Sequence, residues 1–221
     1  MIVKPKVRGF ICTTAHPVGC EAVVKSEIEY VKSRKAEDNG FKPKKVLVLG
    51  SSMGYGLASR IALAYSCGAA TLGVMFDRPA SGSKTGTSGW YNTKAFEKFA
   101  QADGLYAKTV NGDAYSDECK KEVIDIIKAD LGKVDAVVYS LAAPRRTVGD
   151  VTYSSVLKTT GEPYTNKTID LRNNTVSEVT IEPATEEEIA RAVASASLSG
   201  LVDGRRGLGG VDRRTESCRR N

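Results

Sequence analysis

The sequence predicts an α/β protein built on a doubly wound parallel sheet, and three observations carry that expectation. Four short apolar runs, 44–49, 70–76, 106–110 and 134–139, have the length and β-branched content of buried strands. Helical spacing fills the stretches between them. Each run ends on residues suited to a sharp turn, and strand–helix alternation of this kind requires crossovers that lay the strands parallel.

Residues 1–43 read as an N-terminal extension. Positions 3–12 alternate enough for a strand, Pro17-Val18-Gly19-Cys20 reads as a turn, and 19–32 has helical spacing until Asp38-Asn39-Gly40 breaks it. The core, 44–150, begins with the strand at 44–49 and its stop at Gly50, followed by an Ala- and Leu-rich helix over 55–67. The second strand ends at Asp77, and a Gly/Ser/Thr loop covers 81–89. A helix over 93–102 puts Phe96, Phe99 and Ala100 on one face. The third strand stops at Asn111-Gly112-Asp113. Ser116 and Asp117 open a helix that Gly132 ends near residue 131, and the fourth strand leads to Ser140-Leu141-Ala142-Ala143-Pro144.

Residues 151–197 change character. Thr-rich runs at 156–157, 168–171 and 176–181, separated by Gly161-Glu162-Pro163 and Asn173-Asn174, predict a small antiparallel β insert. Thr185 and Glu188 have the spacing of a reciprocal cap and predict a helix start. Residues 198–221 carry five Gly, six Arg and no aromatic residue, too little apolar surface to order themselves.

Composition narrows the function classes. A hydrophobic share of 41% and a charged share of 26% are those of a soluble globular protein. The apolar runs are too short for a bilayer, and no apolar stretch follows Lys4, Lys6 and Arg8, so the expectation is a cytoplasmic protein without a signal peptide. Five Cys without a CxxC pair, and a single His, argue against a metal site and for reduced thiols. His16 reads as a structural turn residue rather than an acid–base group. The net charge of +6 falls half on the tail, where six Arg face three acidic residues. The tail offers no ring to stack on a base, so nucleic acid is not expected as a partner.

Gly50-Ser51-Ser52-Met53-Gly54-Tyr55-Gly56 links the first strand to its helix. In such a loop Gly50 makes the tight turn, Gly54 lets backbone approach a pyrophosphate, and Gly56 lets helix and sheet pack closely. The helix start offers N–H groups and a positive dipole end to the phosphates. Asp77, behind Phe76 at the second strand end, suits a ribose 2′-hydroxyl and repels a 2′-phosphate, which favours NADH over NADPH. Arg78 softens that repulsion. Asp113-Ala114 suits the adenine edge, and Leu141-Ala142 the floor beside the nicotinamide. These positions form one crevice at the carboxyl ends of four strands.

Residues 4–21, Gly50 to Gly56, Gly89-Trp90-Tyr91-Asn92, Tyr139 to Arg145, Gly161-Glu162-Pro163-Tyr164 and Glu182 to Ile189 closely resemble the trans-2-enoyl-CoA / enoyl-acyl-carrier-protein reductase family, and the likeness runs over about 1–190. The resemblance implies a Rossmann-type fold of the short-chain dehydrogenase kind, NADH-dependent reduction of an enoyl-CoA or enoyl-acyl-carrier-protein in fatty-acid synthesis, and a monomer. It carries the nucleotide contacts to Gly50, Ser51, Ser52, Met53, Gly54, Tyr55, Phe76, Asp77, Asp113, Ala114, Leu141 and Ala142. Where Asp77 stands the family more often has Glu. The family's proton donor lies in a Tyr-x8-Lys pair. Here Tyr164 meets Asn173, Tyr153 meets Glu162, the Tyr-x3-Lys spacing fails as well, and no Tyr or Lys follows Lys167. No catalytic residue is therefore assigned.

The expectation is an enoyl reductase by family, with this chain a truncated and inactive form that lacks the acid, or alternatively a dinucleotide-binding module without catalysis of its own. The Gly/Arg/Asp bias of the tail is that of a GC-rich gene read out of frame. A frame change near residue 193 is the hypothesis; a neighbouring genomic frame that lacks a Tyr-x8-Lys continuation contradicts it.

Overall fold

The computed structural model describes residues 4–8, 11–34, 40–82, 84–141, 145–148 and 150–196. The readings of 198–221, of Asp38-Asn39 and of Ala142 lie outside them. Two compact units emerge, one built on Thr14–Leu141 and the other on Pro5–Thr13 with described residues from 145 to 196.

The first unit holds a four-stranded parallel sheet. Its strands are β3 (Lys45–Leu49), β4 (Ala70–Met75), β5 (Ala107–Asn111) and β6 (Ala136–Tyr139), in the order β5-β4-β3-β6. β3 and β4 are buried along nearly their whole length, as apolar central strands must be, whereas β6 alternates between half-buried and exposed at the sheet edge.

Three helices precede the last crossover: α1 (Pro17–Ser33), α2 (Gly54–Cys67) and α3 (Ser88–Ala102). Val24 and Ile28 of α1 pack with Leu57, Ile61 and Ala64 of α2, and with Ala95, Phe96 and Ala100 of α3, in one core that also takes Ala107. Successive steps from β3 to β4 to β5 run one way across the sheet. The return from β5 to β6 runs the other way, through α4 (Asp117–Ile126), which continues as a π-helical turn over Ile127–Leu131. Because parallel crossovers are right-handed, this reversal puts α4 on the opposite face and makes β3/β6 the switch point.

Several boundaries differ from the sequence reading. Pro17 to Cys20 is not a turn but the first turn of α1. His16 caps that helix, Nδ1 accepting from the Gly19 N–H at 3.0 Å, which is the structural role expected of it. Proline in the first turn needs no N–H, so it starts the helix rather than breaking it. α3 begins at Ser88, five residues before the expected start, because the polar Ser88-Gly89-Trp90-Tyr91-Asn92 stretch is held by contacts that spacing does not reveal.

The second unit contains two short strands, β1 (Val7–Arg8) and β2 (Ile11–Cys12), where one strand was expected. Instead of one meander it has two antiparallel ribbons, β7 (Arg145–Val148) with β8 (Val151–Ser154), and β9 (Tyr164–Asp170) with β10 (Thr175–Ile181). The predicted strand at Val156-Leu157 is not formed: Leu157 is almost wholly exposed and pairs with nothing in a ladder. α5 (Glu186–Ala196) starts as its cap predicted. Glu188 N–H donates to Thr185 Oγ1 at 3.2 Å, and Thr185 N–H to Glu188 Oε2 at 3.0 Å. Among the described residues no helix is long and apolar enough to cross a membrane, and no three His, Cys, Asp or Glu side chains gather as a metal cluster.

Candidate functional site

The β3–α2 loop hangs from a single carbonyl. The N–H groups of Gly50 and Ser51 both reach Val74 O at 2.9 Å, and Ser51 Oγ donates to the same oxygen at 3.2 Å. Gly50 takes φ +80°, and a Cβ there would collide with the Ser140 carbonyl at the end of β6. Gly56 packs as tightly, because a Cβ on it would run into Gly50 O. Both glycines thus act as the loop chemistry predicted: one turns against the next strand, the other brings helix to loop. Gly54, at φ +53°, differs, since a Cβ on it meets nothing within 4 Å. Its open face is the side from which a ligand backbone or phosphate can approach. Met53, the cap residue of α2, places no side-chain acceptor on the first-turn N–H groups. The donors and the positive end of the helix therefore face the open side.

α3 braces this loop. Asn92 Nδ2 donates to Ser52 O at 3.3 Å, and Ser88 Oγ to Met53 Sδ at 3.3 Å. Phe76 is 80% exposed and Tyr55 89% exposed at the mouth, large apolar faces that a bound planar group would cover.

Asp77 lies just past β4. Its carboxylate Oδ1 accepts from Thr87 Oγ1 at 2.7 Å, and both oxygens sit 2.5 Å from where a Gly89 Cβ would stand. Its backbone is clamped by Asn111 at the end of β5: Asn111 Oδ1 accepts the Asp77 N–H at 2.9 Å, and Nδ2 donates to Asp77 O at 2.8 Å. Asp113 follows β5, Oδ1 accepting the Tyr115 N–H at 2.9 Å, and Ala114 is buried beside it. Leu141 follows Ser140, the first residue past β6, whose N–H donates to Leu49 O at 2.9 Å.

Eleven of the twelve residues expected to hold a nucleotide lie past the carboxyl ends of four adjacent parallel strands; the twelfth, Ala142, is outside the described residues. Thr87, Asn92 and Asn111 were missed. Asn111 read only as part of a turn, and Asn92 only as part of a resembling stretch. Their partners lie on other elements, so no local pattern marks them.

Beneath the loop runs Arg60, fully buried on α2. Nε donates to Thr71 Oγ1 at 3.2 Å, Nη1 to Thr109 Oγ1 at 2.8 Å, and Nη2 to Lys108 O at 2.7 Å. The guanidinium stacks 4.6 Å from the Phe96 ring. Burial pulls its pKa down to about 10, against the pull of Glu97 and Tyr106, so it stays charged at neutral pH. Gly73 makes room for it, since a Cβ there would be 2.5 Å from both Arg60 Nη1 and Ser51 Oγ.

Past these strand ends stand a glycine with open space beside it at a helix start, a carboxylate with one oxygen hydrogen-bonded to Thr87, and the exposed rings of Phe76 and Tyr55. Two family models match the chain. Residues 2–82 match the NAD(P)H-binding domain of trans-2-enoyl-CoA reductase, and 84–196 its catalytic region. Trans-2-enoyl-CoA reductase (NADH) of Ruminiclostridium cellulolyticum is 59% identical over 197 residues, 88% of this chain and 49% of the relative. Enoyl-acyl-carrier-protein reductase (NADH) of Burkholderia vietnamiensis is 60% identical over 197 residues, 88% of this chain and 48% of the relative. Among solved structures, Treponema denticola trans-2-enoyl-CoA reductase in complex with NAD superposes with a TM-score of 0.79 at 49% identity, over 88% of this chain and 50% of that one. The chain spans about half the length of the relatives it matches.

Proposed function

From its membership of the trans-2-enoyl-CoA reductase family, to which this chain belongs, we propose that the protein serves the NADH-dependent reduction of the trans-2 double bond of enoyl thioesters. What supports the reading most directly is that Gly50, Gly54, Asp77, Asp113 and Leu141 all follow the carboxyl ends of the adjacent parallel strands β3 to β6. NADH bound there supplies a hydride to the double bond. The residues of this chain bind and orient it. Gly50 to Tyr55 receive the pyrophosphate, Phe76 and Asp77 the adenosine, Asp113 and Ala114 the adenine edge, and Leu141 and Ala142 the nicotinamide side. The substrate class is an enoyl-CoA or enoyl-acyl-carrier-protein, met by a monomer in the cytoplasm without membrane or nucleic acid.

A second reading rests on a specific feature: no Tyr in the chain has Lys nine residues on. In that reading the chain holds the dinucleotide and does not itself complete the reduction. Adding crotonyl-CoA to the protein with NADH, and following NADH absorbance, separates the two. We expect NADH to bind without being consumed by this chain alone, so that its site is the one the family reaction uses while the chain itself behaves as the second reading says. Steady consumption would mean that another residue supplies the proton, and would set the second reading aside.

A further inference from the structure

Asp77 is the carboxylate that the proposed function gives to the adenosine ribose. Resting on that assignment, we propose that Thr87 and Asn111 are positioning residues that make Asp77 select NADH against NADPH.

A carboxylate at a strand end has rotational freedom that weakens it as a selector. Faced with a 2′-phosphate, it can swing away and shed most of the repulsion. Here the residue is held at three points, two on its backbone and one on its carboxylate. The β4–β5 ladder ends with Met75 opposite Asn111, and the Asn111 amide carries the pairing past that end by taking both backbone groups of Asp77, at 2.9 and 2.8 Å. Thr87 Oγ1 then pins Oδ1 at 2.7 Å, a short hydrogen bond to a charged acceptor. Thr87 is itself fixed, since its N–H donates to Arg78 O at 3.0 Å. Gly89, without a side chain, lets the carboxylate lie against the start of α3.

Oδ2 takes no hydrogen bond among the described residues, so it is left to accept from a ligand hydroxyl. The Arg78 guanidinium forms no ion pair with Asp77 among the described residues; its Nη2 lies 3.4 Å from Thr85 O. A ribose 2′-hydroxyl brings the donor that Oδ2 needs. A 2′-phosphate brings negative charge and meets a carboxylate that turns aside only by giving up its hydrogen bond to Thr87.

The test is a pair of titrations, NADH and NADPH, on the full chain and on Thr87→Val, read by fluorescence. The NADPH-to-NADH ratio of Kd is expected to fall about tenfold in Thr87→Val, the weight of one charge-assisted hydrogen bond, and to return in Thr87→Ser. Asn111→Ala, which removes the clamp from another strand, is expected to lower the same ratio and serves if Thr87→Val does not fold. A purely structural role would weaken both nucleotides together; an unchanged ratio in the folded variants overturns the proposal while leaving the NADH site intact. Binding of neither nucleotide by the unaltered chain overturns both the proposal and the ribose assignment beneath it.

Discussion

Gly50 and Gly56 touch across the nucleotide loop, and the two contacts set the loop's shape. A methyl at Gly50 must face both a left-handed φ of +80° and the Ser140 carbonyl. Gly50→Ala is therefore expected to cost more than the ~1–2 kcal/mol of the backbone alone, seen as a lower urea midpoint and lost NADH affinity. Gly54→Ala has room for its methyl but not the dihedral, at φ +53°; it should keep most stability and still weaken NADH. Arg60 is the opposite kind of residue, holding the fold rather than the ligand. Arg60→Ala leaves Thr71, Thr109 and Lys108 O without their donor and opens a cavity under Phe96. The expected loss is about 3 kcal/mol or more, measurable by urea denaturation; a loss under about 1 kcal/mol would contradict the assigned role. At this scale the glycines were legible because their job is local, a turn and a close approach at fixed spacing. Arg60, Thr87 and Asn111 were not, since each acts on a strand or helix brought near only by folding.

Whole elements were legible where burial and period agree. The central strands β3 and β4 fell where continuous apolar runs put them, and α5 starts at the Thr185–Glu188 cap that its spacing announced. Removing that cap with Thr185→Ala is expected to cost about 1 kcal/mol, visible as lost helical ellipticity on mild heating. Legibility failed where polar contacts decide. α3 gains five residues at its start, and the Thr-rich insert splits into two ribbons rather than one meander. Every residue of β9 and nearly every residue of β10 is exposed, so no buried face fixes one pairing and alternation alone cannot choose the partner. The turn between them did show itself, through Asn173-Asn174, and Asn174 takes φ 53°, a conformation Asn tolerates better than most residues.

Across the first unit, two Tyr–Asp–Lys knots tie elements together at the surface. Asp103 Oδ2 accepts from Lys32 Nζ at 2.8 Å and Tyr65 OH at 3.0 Å; Asp130 Oδ2 accepts from Tyr106 OH at 2.5 Å and Lys108 Nζ at 3.2 Å. Lys32 lowers the Asp103 carboxyl, with Tyr65 adding to it, and Tyr106 does the same for Asp130 with help from Lys108. A carboxyl lowered by folding stabilises the protein above its unfolded pKa of about 4 and loses that contribution as pH falls through the folded value. Urea midpoints should thus be level between about pH 5 and 8 and drop below about pH 4, with a shallower drop in Asp103→Asn. Every role proposed for the β3–α2 loop and Asp77 requires that this chain bind a dinucleotide. Fluorescence titration of the purified chain with NADH tests that claim most directly. Saturable binding that Gly50→Ala weakens is the predicted result. A folded chain whose signal NADH leaves unchanged would contradict it.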